Sequence, residues 1–161
     1  MPRILSSLLL LPFLALPGAV GCAVNTDATA PPPAINAECN GPEGAAQKYA
    51  AAEDAYVDLA GVWDRCASTL TDIPSDVAGV EFDGKFAYFL VPGSGTALVR
   101  GSGKAYQRSV QLRVDPQGIV VVLADADGSF TAYSAQITAA PRRIRIENTT
   151  THTYLTLGAR F

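Results

Sequence analysis

His152 is the only histidine in this chain of 161 residues, so a Ser or Cys nucleophile activated by histidine would depend on it alone. It stands among threonines, Thr150-Thr151 before and Thr153 after, and nothing around it announces an orienting acid or an oxyanion hole. Gly101-Ser102-Gly103-Lys104 has the tail of a phosphate-binding loop. That loop needs a glycine where Leu98 stands and a helix after the lysine, and the chain supplies neither, so a β-turn is expected. A metal site lacks ligands as well. These residues predict a non-enzymatic protein without cofactor or metal. Cys22, Cys39 and Cys66 are what remains for covalent chemistry, and their meaning depends on where the chain goes.

Met1-Pro2-Arg3 carries one positive charge, and Ile4 to Leu16 is apolar apart from Ser6, Ser7 and Pro12. A charged start followed by a short apolar run is the order of a signal peptide. Crossing a bilayer takes about 20 apolar residues, more than this run holds, and Pro12 and Pro17 would interrupt its helix. Export with removal of residues 1–21 is expected.

Pro17-Gly18-Ala19-Val20-Gly21-Cys22 leads through small residues into a cysteine and resembles the lipobox of bacterial lipoproteins. Ala19 stands where that family prefers leucine; Val20, Gly21 and Cys22 fit. The resemblance implies a diacylglyceryl group on Cys22, cleavage before it and a lipid anchor in the bacterial envelope, with an ordinary secretory cleavage site as the alternative. Ala23 follows the cysteine where an aspartate would favour inner-membrane retention in enteric bacteria, so the resemblance implies the outer membrane. Lipid on Cys22 would consume one of three thiols and leave Cys39 and Cys66 as a pair, which an oxidising compartment would join. On the chain-entropy account such a bridge stabilises by roughly 3 kcal/mol; two buried free thiols are the alternative.

Loss of residues 1–21 takes Arg3 with it, leaving 11 Lys and Arg against 15 Asp and Glu, a formal charge of −4. That balance argues against nucleic acid as a partner. Arg142-Arg143 with Arg145 reads as the solvated outer face of a strand. Residues 22–42 read as a tether, since Ala23 to Glu38 is rich in Ala, Thr and Pro, and Pro31-Pro32-Pro33 favours an extended polyproline path. Asn40-Gly41-Pro42-Glu43 resembles a helix start before an alanine-rich stretch. A short helix over 43–55 is expected, with Tyr49, Ala52 and Tyr56 forming a stripe that lies on the domain or plugs an open end.

From 56 to 161 the chain changes to short runs rich in Val, Ile, Thr, Phe and Tyr, separated by Gly, Pro and Asp clusters. This is the pattern of an all-β domain. Eight or nine strands are expected: Val57–Ala67, Val77–Phe82, Lys85–Val91, Thr96–Arg100, Ala105–Val114, Ile119–Ala124, Ser129–Thr138, Arg143–Glu147 and His152–Phe161. Asp83-Gly84 predicts a two-residue hairpin. Ile119 to Ala124 is apolar on both faces, which leaves its register open. Sequential antiparallel strands without a long crossover avoid exposed edges by closing into an up-and-down β-barrel; a two-sheet sandwich is the alternative.

Leu59-Ala60-Gly61-Val62-Trp63 resembles the Gly-x-Trp motif of lipocalins and related small bacterial barrels. In that family the tryptophan closes one barrel end beneath a basic residue from the last strand, so the resemblance implies Trp63 with Arg160 in structural roles. The other lipocalin motifs are not evident, and short bacterial relatives include barrels packed solid with side chains. Ser102-Gly103-Lys104-Ala105-Tyr106 resembles the Ser-Gly-x-x-Tyr segment of periplasmic lysozyme inhibitors, also small barrels and often lipoproteins. That family's disulfide involves later strands, whereas Cys39 and Cys66 precede the second strand here.

If the Asp83-Gly84 hairpin forms, Phe82 shares a face with Ala87, Phe89 and Val91, while Glu81 shares the other with Phe86, Tyr88 and Leu90. Both faces then carry aromatics. Either something covers the outer one, or Phe86 and Tyr88 form an exposed patch of the kind that marks an interaction site. Two functions follow. One is an envelope-anchored lipocalin-like barrel holding a small apolar molecule or lipid at the mouth away from Trp63. The other is a solid-core barrel that binds a protein partner, enzyme inhibition included, through Phe86, Tyr88 or the loops from Pro92 to Gly103.

Overall fold

A computed structural model describes residues 36–116, 118–124 and 127–160. The signal segment, Cys22, the tether up to residue 35 and Phe161 lie outside the described residues.

The strands are β1 (Gly61–Ser68), β2 (Gly79–Phe82), β3 (Phe86–Pro92), β4 (Leu98–Arg100), β5 (Gln107–Asp115), β6 (Gly118–Ala124), β7 (Phe130–Ala139), β8 (Arg142–Asn148) and β9 (Thr153–Ala159). They pair in the order β2-β1-β9-β8-β7-β6-β5-β3-β4, and β2 also pairs with β3. Eight strands therefore close into an antiparallel barrel, with β4 as an extra strand on β3. Closure follows from the alternation along each strand. In β5 the side chains of Arg108, Val110 and Leu112 turn inward while Gln107, Ser109, Gln111 and Arg113 face out. In β6, apolar on both faces, Ile119, Val121 and Leu123 are buried and Val120, Val122 and Ala124 half-buried. The partner strands decide which set goes inside.

The interior is filled by Trp63, Val80, Phe82, Phe89, Tyr133, Ile144, Ile146, Leu155 and Leu157, all 3 % exposed or less. Helix α1 (Ala52–Leu59) closes one end, burying Ala55 and Leu59 against this core. The loop from 69 to 78 closes the other with Ile73 and Val77. Beneath that loop Arg108 is buried, its guanidinium donating to the carbonyl oxygens of Asp72 at 3.1 Å, Ala124 at 3.2 Å and Ala105 at 3.4 Å. Tyr133 adds a hydroxyl bond to the Asp72 carboxylate at 3.2 Å.

The helix begins later than the alanine-rich stretch predicts, at Ala52 rather than residue 43, and it takes in Val57, which the sequence pattern placed in the first strand. Pairing accounts for the late start. β6 meets β7 only as far as Ala135, which leaves the last part of β7 free on that side. Ala46 bridges to Thr138 there, and Gln47 N donates to the Ile137 carbonyl at 2.8 Å. Gly44 makes the approach possible, since a Cβ there would lie 2.4 Å from the Ala140 oxygen. A sheet edge in want of hydrogen bonds outcompetes the modest helix preference of alanine. β5 similarly outruns β3, and its Leu112 N–H donates to the Tyr56 hydroxyl of α1 at 2.8 Å.

Residues 36–47 form a strap over the outside of the barrel. Arg143, expected on a solvated face, lies beneath it and is only 7 % exposed. Its guanidinium donates to the carbonyl oxygens of Glu38, Asn40 and Gly41. Sequence parity puts Arg143 on the outer face correctly; the cover comes from a segment about a hundred residues away in the chain.

The β2–β3 hairpin turns one residue later than expected. Asp83 N donates to the Phe86 carbonyl at 3.1 Å, so Gly84-Lys85 make the turn, with Gly84 at φ +90°. Phe82 pairs with Ala87. Because the register moves by two residues, the inward and outward sets survive: Phe82, Ala87 and Phe89 inside, Glu81, Phe86 and Tyr88 outside. Leu90 is the exception, buried although it shares the parity of the outer set.

Candidate functional site

Along β3 the partner changes. Tyr88 pairs with Gln107 of β5, and Leu90, two residues on, pairs with Arg100 of β4. Seven residues of the partner thus correspond to two of β3. β4 and β5 behave as one strand from which five residues, Ser102 to Tyr106, are looped out. Tyr106 folds back flat against Gly101, where a Cβ would lie 2.1 Å from its ring; no residue but glycine leaves that space. The Tyr106 hydroxyl donates to both carboxylate oxygens of Asp76 at 3.0 Å, which raises its pKa.

The excursion forms one wall of an open depression of about 840 Å³ on the outside of the barrel. Phe86 and Tyr88 face it, Arg100 and Lys104 stand on the excursion side, Gln107 lies on β5, and Asp127 comes from the β6–β7 connection. Phe86 and Tyr88 have ring centroids 6.1 Å apart and tilted by 45°. The Arg100 guanidinium lies over the Tyr88 ring at 3.6 Å from its centroid. The same guanidinium makes two 2.8 Å bonds to the Glu81 carboxylate. Those bonds pull the Glu81 pKa below the usual carboxylate value and raise that of Arg100. Charge is thereby neutralised within the wall, and the planar Tyr88–Arg100 stack is held in one orientation. A second depression, about 390 Å³, continues over Gln111, Arg113, Val122, Ala132 and Phe130, the last 61 % exposed.

The expected interaction residues Phe86 and Tyr88 are brought together, both half-buried and facing outward. Of Gly101 to Lys104, expected as a β-turn, Gly101 still bonds β3 through its N–H to the Phe89 carbonyl at 3.0 Å, and Ser102 to Lys104 open the excursion. Cys39 and Cys66 form a disulfide with Cα atoms 5.2 Å apart. Trp63 closes the α1 end, its Nε1 donating to the Leu59 carbonyl at 2.8 Å. Its cationic neighbour corrects the expectation of Arg160. Arg142, at the start of β8, stands 5.3 Å above the ring. Arg160 instead bonds the Thr96 carbonyl at 2.8 Å and pairs with Asp64 at 3.6 Å. Both arginines lie at this end of the barrel, and the strand register decides between them. His152 is 81 % exposed, with its Nδ1 3.6 Å from Glu147. Among the described residues no group of His, Cys, Asp or Glu is placed to hold a metal ion, and no helix is long and apolar enough to cross a membrane.

Sequence reasoning missed the Glu81–Arg100–Tyr88 stack and the Arg108–Asp72–Tyr133 plug. Each joins residues from separate strands or loops, so only cross-strand pairing could have revealed them. Comparison of the chain with protein-family models, curated proteins and solved structures returned no match.

Proposed function

We propose that this chain is an envelope lipoprotein, anchored through lipid on Cys22 to the outer membrane, whose solid barrel is a non-enzymatic scaffold that binds a protein partner on the wall around Phe86 and Tyr88. The observation that carries this reading is where the apolar surface goes. Inside, large side chains fill the barrel, and both ends are stoppered by the chain's own α1 and 69–78 loop. Outside, two adjoining depressions expose Phe86, Tyr88, Val122 and Phe130. Apolar surface left on an outer wall is the usual mark of a docking face, and an Arg–Tyr stack is the kind of rigid feature that anchors protein interfaces. The mouth away from Trp63, where a lipocalin-like barrel would admit a small apolar ligand, is taken up by Arg108, Ile73 and Val77, which favours the scaffold reading over that alternative.

The test uses photo-crosslinking in living cells. A photoreactive residue at Ser109, in the larger depression, should yield a discrete protein adduct that a probe at Glu53 on α1 does not. If no adduct forms and the purified chain carries a small apolar molecule in native mass spectrometry, the binding-barrel reading replaces this one. Acyl labelling that disappears in Cys22→Ser checks the anchor separately.

A further inference from the structure

The strap, residues 36–47, is fastened in an uneven way. None of its side chains is buried. Its non-covalent hold is polar: the Asn36 amide donates to Asp64 at 2.9 Å and to the Ala159 carbonyl at 2.8 Å, Arg143 reaches three strap carbonyls, the Arg142 N–H meets the Glu38 carboxylate, and at the far end Ala46 bridges to Thr138 with Gln47 N on the Ile137 carbonyl. All these groups regain water on release, so they hold weakly, and Arg143 leaves no buried unpaired charge behind it. The one bond that water cannot replace is Cys39–Cys66, from the strap to β1. Both cysteines are half-buried. Beneath them Gly158 gives the room: a Cβ there would lie 3.1 Å from Glu38 Cβ and 3.2 Å from the Cys66 sulfur. Past the strap the hold changes character, because Ala55 and Leu59 root α1 in the core.

We propose that Cys39–Cys66 is a redox latch, whose reduction by a dithiol frees residues 36–47 while α1 and the nine strands stay folded. A thiolate of the dithiol attacks one sulfur, the Cys39–Cys66 bond breaks and a mixed disulfide forms. The second thiol attacks that bond, so two electrons and two protons pass to Cys39 and Cys66, and the dithiol leaves as its own disulfide. Release bares Arg143 and the wall beneath the strap. With the anchor proposed above, on which this consequence alone rests, it also adds roughly 40 Å of extensible chain between lipid and barrel.

Hydrogen exchange on the full processed chain in detergent, with and without dithiothreitol, tests the latch. On reduction, peptides covering 36–47 should exchange about tenfold faster or more and lose their protection, whereas those covering β6 to β9 should stay protected as a folded barrel, faster only by the loss of global stability that removal of the bridge brings. An oxidised chain with Arg143→Gln should keep its strap protected. Three outcomes overturn the proposal. Strap protection that survives reduction means the polar contacts suffice. Strap and strands losing all protection together mean the bridge is a staple of the whole fold. Loss of strap protection in oxidised Arg143→Gln means the bridge does not hold the strap.

Discussion

The two halves of the barrel's outer wall are built from similar strands and finished differently. On β1, β9 and β8 the strap lies across the sheet, and the outward cation Arg143 is buried under it with its donors met by strap carbonyls. On β3, β5 and β6 no such segment lies among the described residues, and the outward set includes Phe86, Tyr88 and Val122. The covered half has polar groups fitted to backbone; the bare half has aromatic and aliphatic groups left half-exposed, Tyr88 stacked on Arg100 and Phe86 beside it. A wall that needed only to be soluble would show the reverse chemistry, charged where bare and apolar where covered. The contrast sets a face that serves the molecule's own architecture beside the one proposed above as a docking face.

Breaking the covered half should cost the most. Replacing both cysteines by serine removes a bridge closing 27 residues and should lower unfolding free energy by about 3 kcal/mol on the chain-entropy account, measured by urea denaturation of the full chain. Gly158→Val is the next largest. Its side chain would press on Glu38, Cys66 and the Cys39 backbone at 3.1 to 3.3 Å, so the strap must lift or the strand shift. A loss of about 1–3 kcal/mol is expected, and it should shrink in the Cys39→Ser background, where the strap is free to move. An undiminished loss there would show that the strain falls on β9 itself.

The strands were legible because alternation and Gly-Asp-Pro punctuation are local. All nine anticipated segments are found, with ends shifted by a few residues, and the inward set of β5 follows from its pattern alone. What escaped was decided by pairing between distant parts. Alanines at 45 to 51 spell helix locally, yet the unpaired end of β7 recruits Ala46 and Gln47 as extended chain. Arg142 and Arg160 are equally plausible above Trp63 until the register of β8 against β9 is known. At the candidate site, parity placed Phe86 and Tyr88 outside, but the excursion beside them shows only when β3 is seen to pair with both β4 and β5. The disulfide pairing was anticipated through the lipobox resemblance, which set Cys22 apart from Cys39 and Cys66; that the bridge fastens a strap was not.

On the bare half, Phe86→Ser with Tyr88→Ser tests whether the aromatics serve the fold. Both are half-buried on the outer face and neither belongs to the core, so the pair should change stability by no more than about 1 kcal/mol. The Ser109 crosslink should nevertheless vanish. A loss of several kcal/mol would make Phe86 and Tyr88 structural cover and erase the distinction between the two walls.

The smallest effect concerns the charge pair in that wall. Glu81 has its pKa held below the usual carboxylate value by Arg100, chiefly through their hydrogen bonds. A carboxylate with a depressed folded-state pKa stabilises above its unfolded pKa, and that contribution is lost as pH falls through the folded value. The pair is partly exposed, with Arg100 at 48 % and Glu81 at 29 %, so its worth is below about 1 kcal/mol. The unfolding midpoints of the wild type and Glu81→Gln should therefore differ slightly at neutral pH and converge below the carboxylate range. The arginine keeps its charge throughout, so its stacking on Tyr88 should persist in acid. A gap between the two proteins that stayed constant down to low pH would mean that Glu81 acts through packing, and the Arg100 stack would then be held by Tyr88 alone.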